Sequence, residues 1–165
     1  MSESTRPGLE ILKTAAQSAH PLEEAARGRI VGFINSKACD DGGFRGRTLQ
    51  SDIYYTHFAL AALAALYSAP EDLPAVKRYL SEFSHAPVDD FVHFNSLLRA
   101  RMIVRLFELP RLIQRGILGG STLGKAMLSI APEKAELKKS GIERLEEWRS
   151  RDGGYHHARK DADQG

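Results

Sequence analysis

The chain has 165 residues, of which 42% are hydrophobic, and a formal net charge of +2. That length supports one globular domain with a sizeable core, and a charge so near balance favours neither nucleic acid nor a membrane surface as a partner. The single cysteine, Cys39, forms no internal disulfide, and the longest apolar run (58–67) is too short to cross a bilayer, so we expect a cytoplasmic protein without a membrane span.

Helical spacing dominates the first third of the chain, and sustained strand alternation is absent, which predicts an all-α fold. Residues 1–20 form an N-terminal segment with a short helix over Gly8–Ala19. A second, amphipathic helix runs from Pro21 to near Ser36. Its predicted buried stripe comprises Leu22, Ala26, Ile30 and either Phe33 or Ile34.

The centre of the chain has three parts. Asp41, Gly42 and Gly43 predict a turn, because glycine accepts backbone angles that a Cβ disfavours. A short polar loop covers Phe44–Gln50. Ser51 is then the expected N-cap of a helix through Tyr67, and because this helix is apolar almost all round we expect it to be buried on every face.

Further helices are predicted over Pro74–Phe83 and Val88–Leu109, the second with its arginines largely outside. Residues 111–131 suggest a helical turn or two, a glycine loop and another helix. Pro132 opens a last helix that carries Trp148 on its apolar face. Asp152–Tyr155 then repeats the Asp-Gly-Gly-aromatic turn of the central stretch.

The string GGFRGRTLQSDIYYTHFALAAL, residues 42–63, resembles the repeat of the prenyltransferase β-subunit and terpene-cyclase superfamily. The resemblance is strong over 29–67 and fair over 142–155. It implies an α/α toroid in which outer and inner helices alternate, formed here by residues 21–165. This chain holds about three such hairpins, fewer than a closed ring of this family has. We therefore expect the N-terminal half of a ring, a fragment, or one piece of an assembled toroid.

The resemblance implies a site at the start of the inner helix. The arginine of the family's Gly-Arg pair contacts the diphosphate of an isoprenoid, which carries over to Arg47, four residues before Ser51. A guanidinium beside a helix N-terminus is also a suitable anion site on physical grounds. The alternative is that Arg47 pairs with a loop carboxylate such as Asp52 and holds the turn.

The family's zinc enzymes take an Asp and a Cys from one such helix start and a His from another. Here Tyr54 and Tyr55 occupy the Cys and His positions, and Asp52 is the only match. One carboxylate does not make a zinc site, so we expect no metal and no cofactor in this chain. Tyr54 and Tyr55 would line an isoprenoid cavity or pack in the inner barrel.

Other candidate residues have simpler interpretations. His57 and His93 are expected to be packed or solvated, and Cys39 to be buried as a small apolar side chain. His156 and His157 are expected in a loop. We find no nucleotide-binding loop and no supported Ser-His-Asp set.

Together these patterns predict a prenyltransferase β-subunit-like repeat protein. In the resembling enzymes an isoprenoid is transferred to a protein cysteine, with zinc as cofactor and an α-type subunit as partner. Because this chain lacks a complete zinc set, we expect isoprenoid diphosphate binding at Arg47, Tyr54 and Tyr55 without prenyl transfer. One alternative is a non-catalytic scaffold or fragment that binds a protein, an apolar ligand or a second copy of itself. The other is a terpene-cyclase relative.

Overall fold

In a computed structural model of the chain, the residues described are 7–83, 90–119, 146 and 148–150. Six α-helices have both ends within these ranges, with no β-strand among them, and this confirms the all-α class. The helices are α1 Pro7–Ala19, α2 Glu24–Asn35, α3 Ile53–Ala65, α4 Leu73–Glu82, α5 Phe91–Glu108 and α6 Arg111–Leu118. No helix in this part of the chain is both long and apolar enough to span a bilayer.

Helix α3 lies at the centre of the core, but the prediction that it is buried on every face is wrong. Leu60 and Leu63 are fully buried, and α1 and α5 pack on this side of the helix. Tyr54, Tyr55 and Phe58 are 39%, 40% and 50% exposed on the other side. One face of α3 is therefore core and the other is an aromatic surface.

Both predicted ends of α3 shift inwards. The helix starts at Ile53 with Asp52 as its N-cap, not at Ser51, because the Asp52 carboxylate accepts a hydrogen bond from the Tyr54 amide at 2.7 Å. It ends at Ala65 rather than Tyr67, and Tyr67 adopts a positive φ of 53°. That left-handed residue turns the chain away from the helix axis.

Hydrogen bonds and an ion pair between neighbouring helices show in which direction each helix runs relative to its neighbour. Arg27, early in α2, donates a hydrogen bond to the carbonyl of Leu66 just past α3. Lys77 pairs with Glu108, whereas Leu80, further along α4, accepts from Arg101, earlier in α5. Each of these two helix pairs, α2 with α3 and α4 with α5, is therefore an antiparallel hairpin.

The α3 and α5 helices lie side by side and run in the same direction. His93, at the start of α5, faces Asp52 at the start of α3. About two turns further along α5, the charge of Arg99 acts on His57 in the second turn of α3. The two contacts follow the same order along both helices, so α3 and α5 are parallel neighbours. Each of these helices is preceded in the chain by its antiparallel partner.

The orientation of α2 differs from the prediction. Ile30 and Phe33 of the expected buried stripe are 41% and 64% exposed, and Ile34 is the buried member. The face that packs carries Arg27, Val31 and Ile34, at i, i+4 and i+7. Arg27 sets this face, because its guanidinium donates to the carbonyls of both Ala19 and Leu66 at two helix C-terminal ends.

The remaining helices follow the sequence pattern closely. In α4, Asp72 caps the helix and Val76, Tyr79 and Leu80 are buried as expected. In α5, Phe94 and Leu97 are buried, but Arg101 is half-buried rather than outside because it bonds to α4.

Trp148 is fully buried, with its ring centroid 5.1 Å from that of Phe94. The predicted helix over 122–130, most of the helix from Pro132, the repeated turn at 152–155 and His156–His157 lie outside the described residues.

Two leucine truncations, one in α3 and one in the loop before it, test whether Leu60 lies in the core. Leu60 is fully buried and Leu49 is 83% exposed, so the same chemical change is made in two environments. We expect Leu60→Ala to lower the free energy of unfolding by about 2–5 kcal/mol, because it removes buried methyl groups and leaves a cavity. Leu49→Ala should change it by less than about 0.5 kcal/mol. Urea unfolding followed by circular dichroism gives both values, and equal losses would contradict the assignment of the core.

Candidate functional site

The turn before α3 depends on its two glycines. Gly42 has a φ of +92°, and a Cβ there would lie 2.2 Å from the carbonyl oxygen of Ala75. A Cβ on Gly43 would lie 2.7 Å from the ring of Tyr79. Helix α4 therefore packs directly on the backbone of the turn, which leaves no room for a side chain at either position.

Polar groups close the turn on itself. The amide of Gly42 donates to the carbonyl of Cys39, and the amide of Cys39 donates to the carbonyl of Gly43. Asp41 accepts from the Gly43 amide with one carboxylate oxygen and from the Ser51 hydroxyl with the other. Ser51 is thus occupied with the turn, which is why Asp52 rather than Ser51 caps α3.

Phe44 anchors the loop that leads from the turn to α3. It is 2% exposed, so the prediction of a polar loop over Phe44–Gln50 is wrong at this residue. Its amide donates to the Thr56 hydroxyl at 2.8 Å, and its carbonyl accepts from the Asp52 amide at 3.1 Å. Isolated bridges join Arg45 with Ser51 and Ala38 with Phe44. These bonds hold the loop against the first turn of the helix.

Tyr54, Tyr55 and Phe58 form what we term the aromatic face. The centroid of the Tyr54 ring is 5.5 Å from that of Tyr55 and 4.8 Å from that of Phe58, both in edge-to-face geometry. The rings support one another while each keeps at least 39% of its surface exposed. A helix whose other side is core thus presents a continuous apolar surface.

Arg47 lies next to this surface. A Cβ on Gly46 would lie 2.3 Å from the ring of Tyr55, so the loop backbone rests directly on that ring one residue before Arg47. Arg47 is exposed, and within the described part of the chain no hydrogen bond or ion pair holds its guanidinium. The alternative in which Arg47 pairs with Asp52 is not what the structure has, because the free oxygen of Asp52 faces His93.

His93 was not expected to be part of a site, yet it lies between two carboxylates. Its Nδ1 is hydrogen-bonded to Asp90 Oδ2, and its Nε2 is 3.7 Å from Asp52 Oδ2. The other oxygen of Asp90 accepts from the His93 backbone amide and caps α5. The spacing Asp90-x-x-His93, an N-cap followed by a polar residue at N3, is the sequence signal that could have predicted half of this cluster.

The charges of this cluster shift two pKa values in opposite directions. Partial burial alone would lower the pKa of His93, but the hydrogen bond and charge of Asp90, with a smaller contribution from Asp52, raise it above its usual value. Burial alone would raise the pKa of Asp90, yet the hydrogen bonds from the His93 amide and ring lower it. Both shifts favour a charged His93 between two carboxylates.

The other titratable candidates are poorly placed for chemistry. His57 is buried, and burial together with the nearby charge of Arg99 lowers its pKa, so it is neutral at pH 7. Burial and the charge of Asp41 raise the pKa of Cys39, so its thiol is a weak nucleophile. His57 is thus packed, which was one of its two expected states. Cys39 is only partly buried, so the expectation that it is buried as a small apolar side chain is wrong.

An open depression of about 430 Å³ lies on the turn side of the loop. It is lined by Cys39, Asp40, Asp41, Leu49, Gln50 and Ser51. None of the predicted binding residues Arg47, Tyr54 and Tyr55 lines this depression, and Phe58 of the aromatic face does not line it either. Across residues 7–83, 90–119, 146 and 148–150, no three His, Cys, Asp or Glu side chains are placed to hold a metal ion.

Comparison of the chain with protein-family models, with curated proteins and with solved structures gave no match.

Two glycine substitutions test the turn. Gly42→Ala places a methyl group against the Ala75 carbonyl at a positive φ, so we expect the free energy of unfolding to fall by at least about 1–3 kcal/mol. Gly28→Ala is the matched control, because Gly28 is in α2 with no atom within 4 Å of an added Cβ. That variant should gain about 0.5–1 kcal/mol from helix propensity. Thermal unfolding gives the melting temperature of both variants. A Gly42→Ala variant that melts at or above the temperature of the parent would contradict the assigned turn.

Proposed function

We propose that this chain is part of an α/α toroid that binds an isoprenoid diphosphate. The hydrocarbon would lie on the aromatic face and the diphosphate at Arg47. The observation that carries the proposal is the aromatic face itself, three exposed rings on the helix that is otherwise most central to the core. The resemblance of residues 42–63 to the prenyltransferase β-subunit repeat names the ligand class.

The helix arrangement supports the toroid part of this proposal. Two antiparallel hairpins, α2 with α3 and α4 with α5, place α3 and α5 side by side and parallel. In a toroid, inner helices are parallel neighbours and each outer helix returns antiparallel to its inner partner. Under this interpretation α3 and α5 are inner helices, and the aromatic face is directed towards the lumen.

The size of the aromatic face is sufficient for an apolar ligand. At about 150–250 Å² per aromatic residue, the exposed fractions of the three rings leave about 200–300 Å² open. Covering that area at about 25 cal/mol per Å² contributes at most about 5–8 kcal/mol before the cost of immobilising the ligand. This alone gives weak binding, so a charged contact at Arg47 would be needed for micromolar affinity.

The reactive step of the family has no support in the described residues. Zinc in those enzymes binds the acceptor thiol, and a site of that kind needs about four ligands. Asp52 already caps α3 and faces His93, and Tyr54 and Tyr55 offer no thiolate or imidazole. We therefore propose ligand binding by this chain, with any prenyl transfer requiring residues from elsewhere.

Titration calorimetry with farnesyl and geranylgeranyl diphosphate tests the site. We expect Arg47→Ala to weaken binding by about tenfold or more, because a charge-assisted hydrogen bond contributes about 1.5–3 kcal/mol. Arg29→Ala, which removes an exposed arginine from α2, is the matched control and should bind as the parent does. Tyr54→Ala should weaken both prenyl diphosphates but leave inorganic diphosphate unaffected. Equal affinities in the Arg47 and Arg29 variants would remove Arg47 from the site.

The exposed apolar residues of α2 favour a second candidate, a non-catalytic scaffold that binds a protein. Ile30 and Phe33 are adjacent on one helix face and both are exposed. If this face serves association with a second copy, the parent should form dimers in sedimentation velocity over a micromolar range. Phe33→Ala should weaken them strongly, because it removes the largest exposed apolar side chain of this helix face. A parent that remains monomeric over that range would argue against self-association through α2.

A further inference from the structure

We propose that His93 is a pH-sensitive clip that joins the first turns of α3 and α5. The clip consists of His93, Asp90 and Asp52. Both carboxylates cap their own helices with one oxygen and face the His93 ring with the other. Protonation of one imidazole therefore connects the N-caps of two parallel helices.

The placement of a carboxylate oxygen near each ring nitrogen favours the imidazolium, in which both nitrogens carry protons. In the imidazolium, Nδ1 donates to Asp90 and Nε2 presents an N–H to Asp52. In neutral imidazole only one nitrogen is a donor. Because the hydrogen bond to Asp90 is the shorter contact, the proton stays on Nδ1 and a lone pair on Nε2 then faces the Asp52 carboxylate. Loss of the proton therefore changes an attraction between α3 and α5 into a repulsion.

Among the described residues, the charged groups that face His93 come from two elements. Asp52 faces it from α3 and Asp90 from the N-cap of its own helix. In the part of the chain that the structure describes, the ion pair between α4 and α5 is at the opposite end of α5, where Lys77 meets Glu108. Helix α6 also begins beyond that end. The His93 proton is therefore controlled by the two carboxylates.

The direction of the pH effect follows from the raised pKa of His93. A histidine whose pKa is higher in the folded state contributes stability that is complete below its unfolded value of about 6.5. That contribution is lost as the pH rises through the higher folded value. The clip is therefore closed in mildly acidic solution and released as the pH rises through the raised pKa of His93.

The clip also reaches the aromatic face. The Tyr54 amide donates to Asp52, so the carboxylate that faces His93 also holds the backbone of the residue that carries the first ring of that face. Release of the clip frees Asp52 to reorient, and the Tyr54 amide becomes less protected. This coupling between the clip and the Tyr54 amide does not depend on which ligand the aromatic face binds.

Asparagine substitutions isolate the charges. Asn caps helices about as well as Asp, so Asp52→Asn and Asp90→Asn keep the caps and remove the charges facing His93. Histidine resonances followed by NMR against pH give the midpoint of His93, with the urea-unfolded chain as reference. We expect a higher midpoint in the folded parent, a smaller elevation in Asp52→Asn, and a still smaller one in Asp90→Asn. An Asp52→Asn midpoint equal to that of the parent would show that α3 takes no part and would overturn the clip.

Amide exchange tests the connection to Tyr54. After correction for intrinsic exchange, we expect the protection of the Tyr54 amide to fall about two- to fivefold as the pH crosses the His93 midpoint, as for an exposed ion pair. His93→Gln should abolish this dependence while retaining His57 as an internal control. Asp52→Asn provides the same test if His93→Gln is poorly folded. A pH dependence that persists in both variants would overturn the proposal.

Discussion

The reversal of the chain between α2 and α3 positions the loop that carries Arg47 and the start of α3 in the candidate site. It depends on a close contact between backbones, the turn at Gly42 against the carbonyl of Ala75 in α4. Because that contact excludes any side chain, α4 fixes the turn, and the turn fixes the loop through Phe44 and its bond to Thr56. Arg47 and the aromatic face are therefore brought together by packing among helices rather than by any direct bond between them.

Helix α3 combines two roles that usually oppose each other. Its core side contributes fully buried leucines, while its other side leaves three aromatic rings open to solvent. Exposing such rings weakens the hydrophobic driving force for folding, and the edge-to-face contacts among them recover only part of it. The proposed isoprenoid would cover these rings and remove that remaining cost.

Sequence patterns predicted those parts of the fold that depend on local chemistry. Pro74 marks the first turn of α4, and the glycine pair marks the turn, because a fixed φ and a positive φ depend on the residue itself. The orientation of α2 was mispredicted because periodicity does not say that Arg27 bonds to two helix ends inside the fold. The exposed side of α3 was missed for a related reason, since an all-apolar helix has no polar face to indicate which side is open.

The candidate site shows the same division. Its loop and aromatic residues follow from the motif, whereas the approach of His93 to Asp52 joins residues far apart in sequence and needs the tertiary fold.

Asp52 shows what the contact between α3 and α5 adds to the site. An aspartate at a helix start has two oxygens, and a cap uses only one. The second oxygen remains a charged acceptor, and where two parallel helices begin side by side, two such acceptors repel each other. A histidine in the first turn of one helix relieves that repulsion only while it is protonated. Under the proposed clip, the His93 proton therefore adds a small, pH-dependent contribution to an α3–α5 contact that packing of buried apolar side chains dominates.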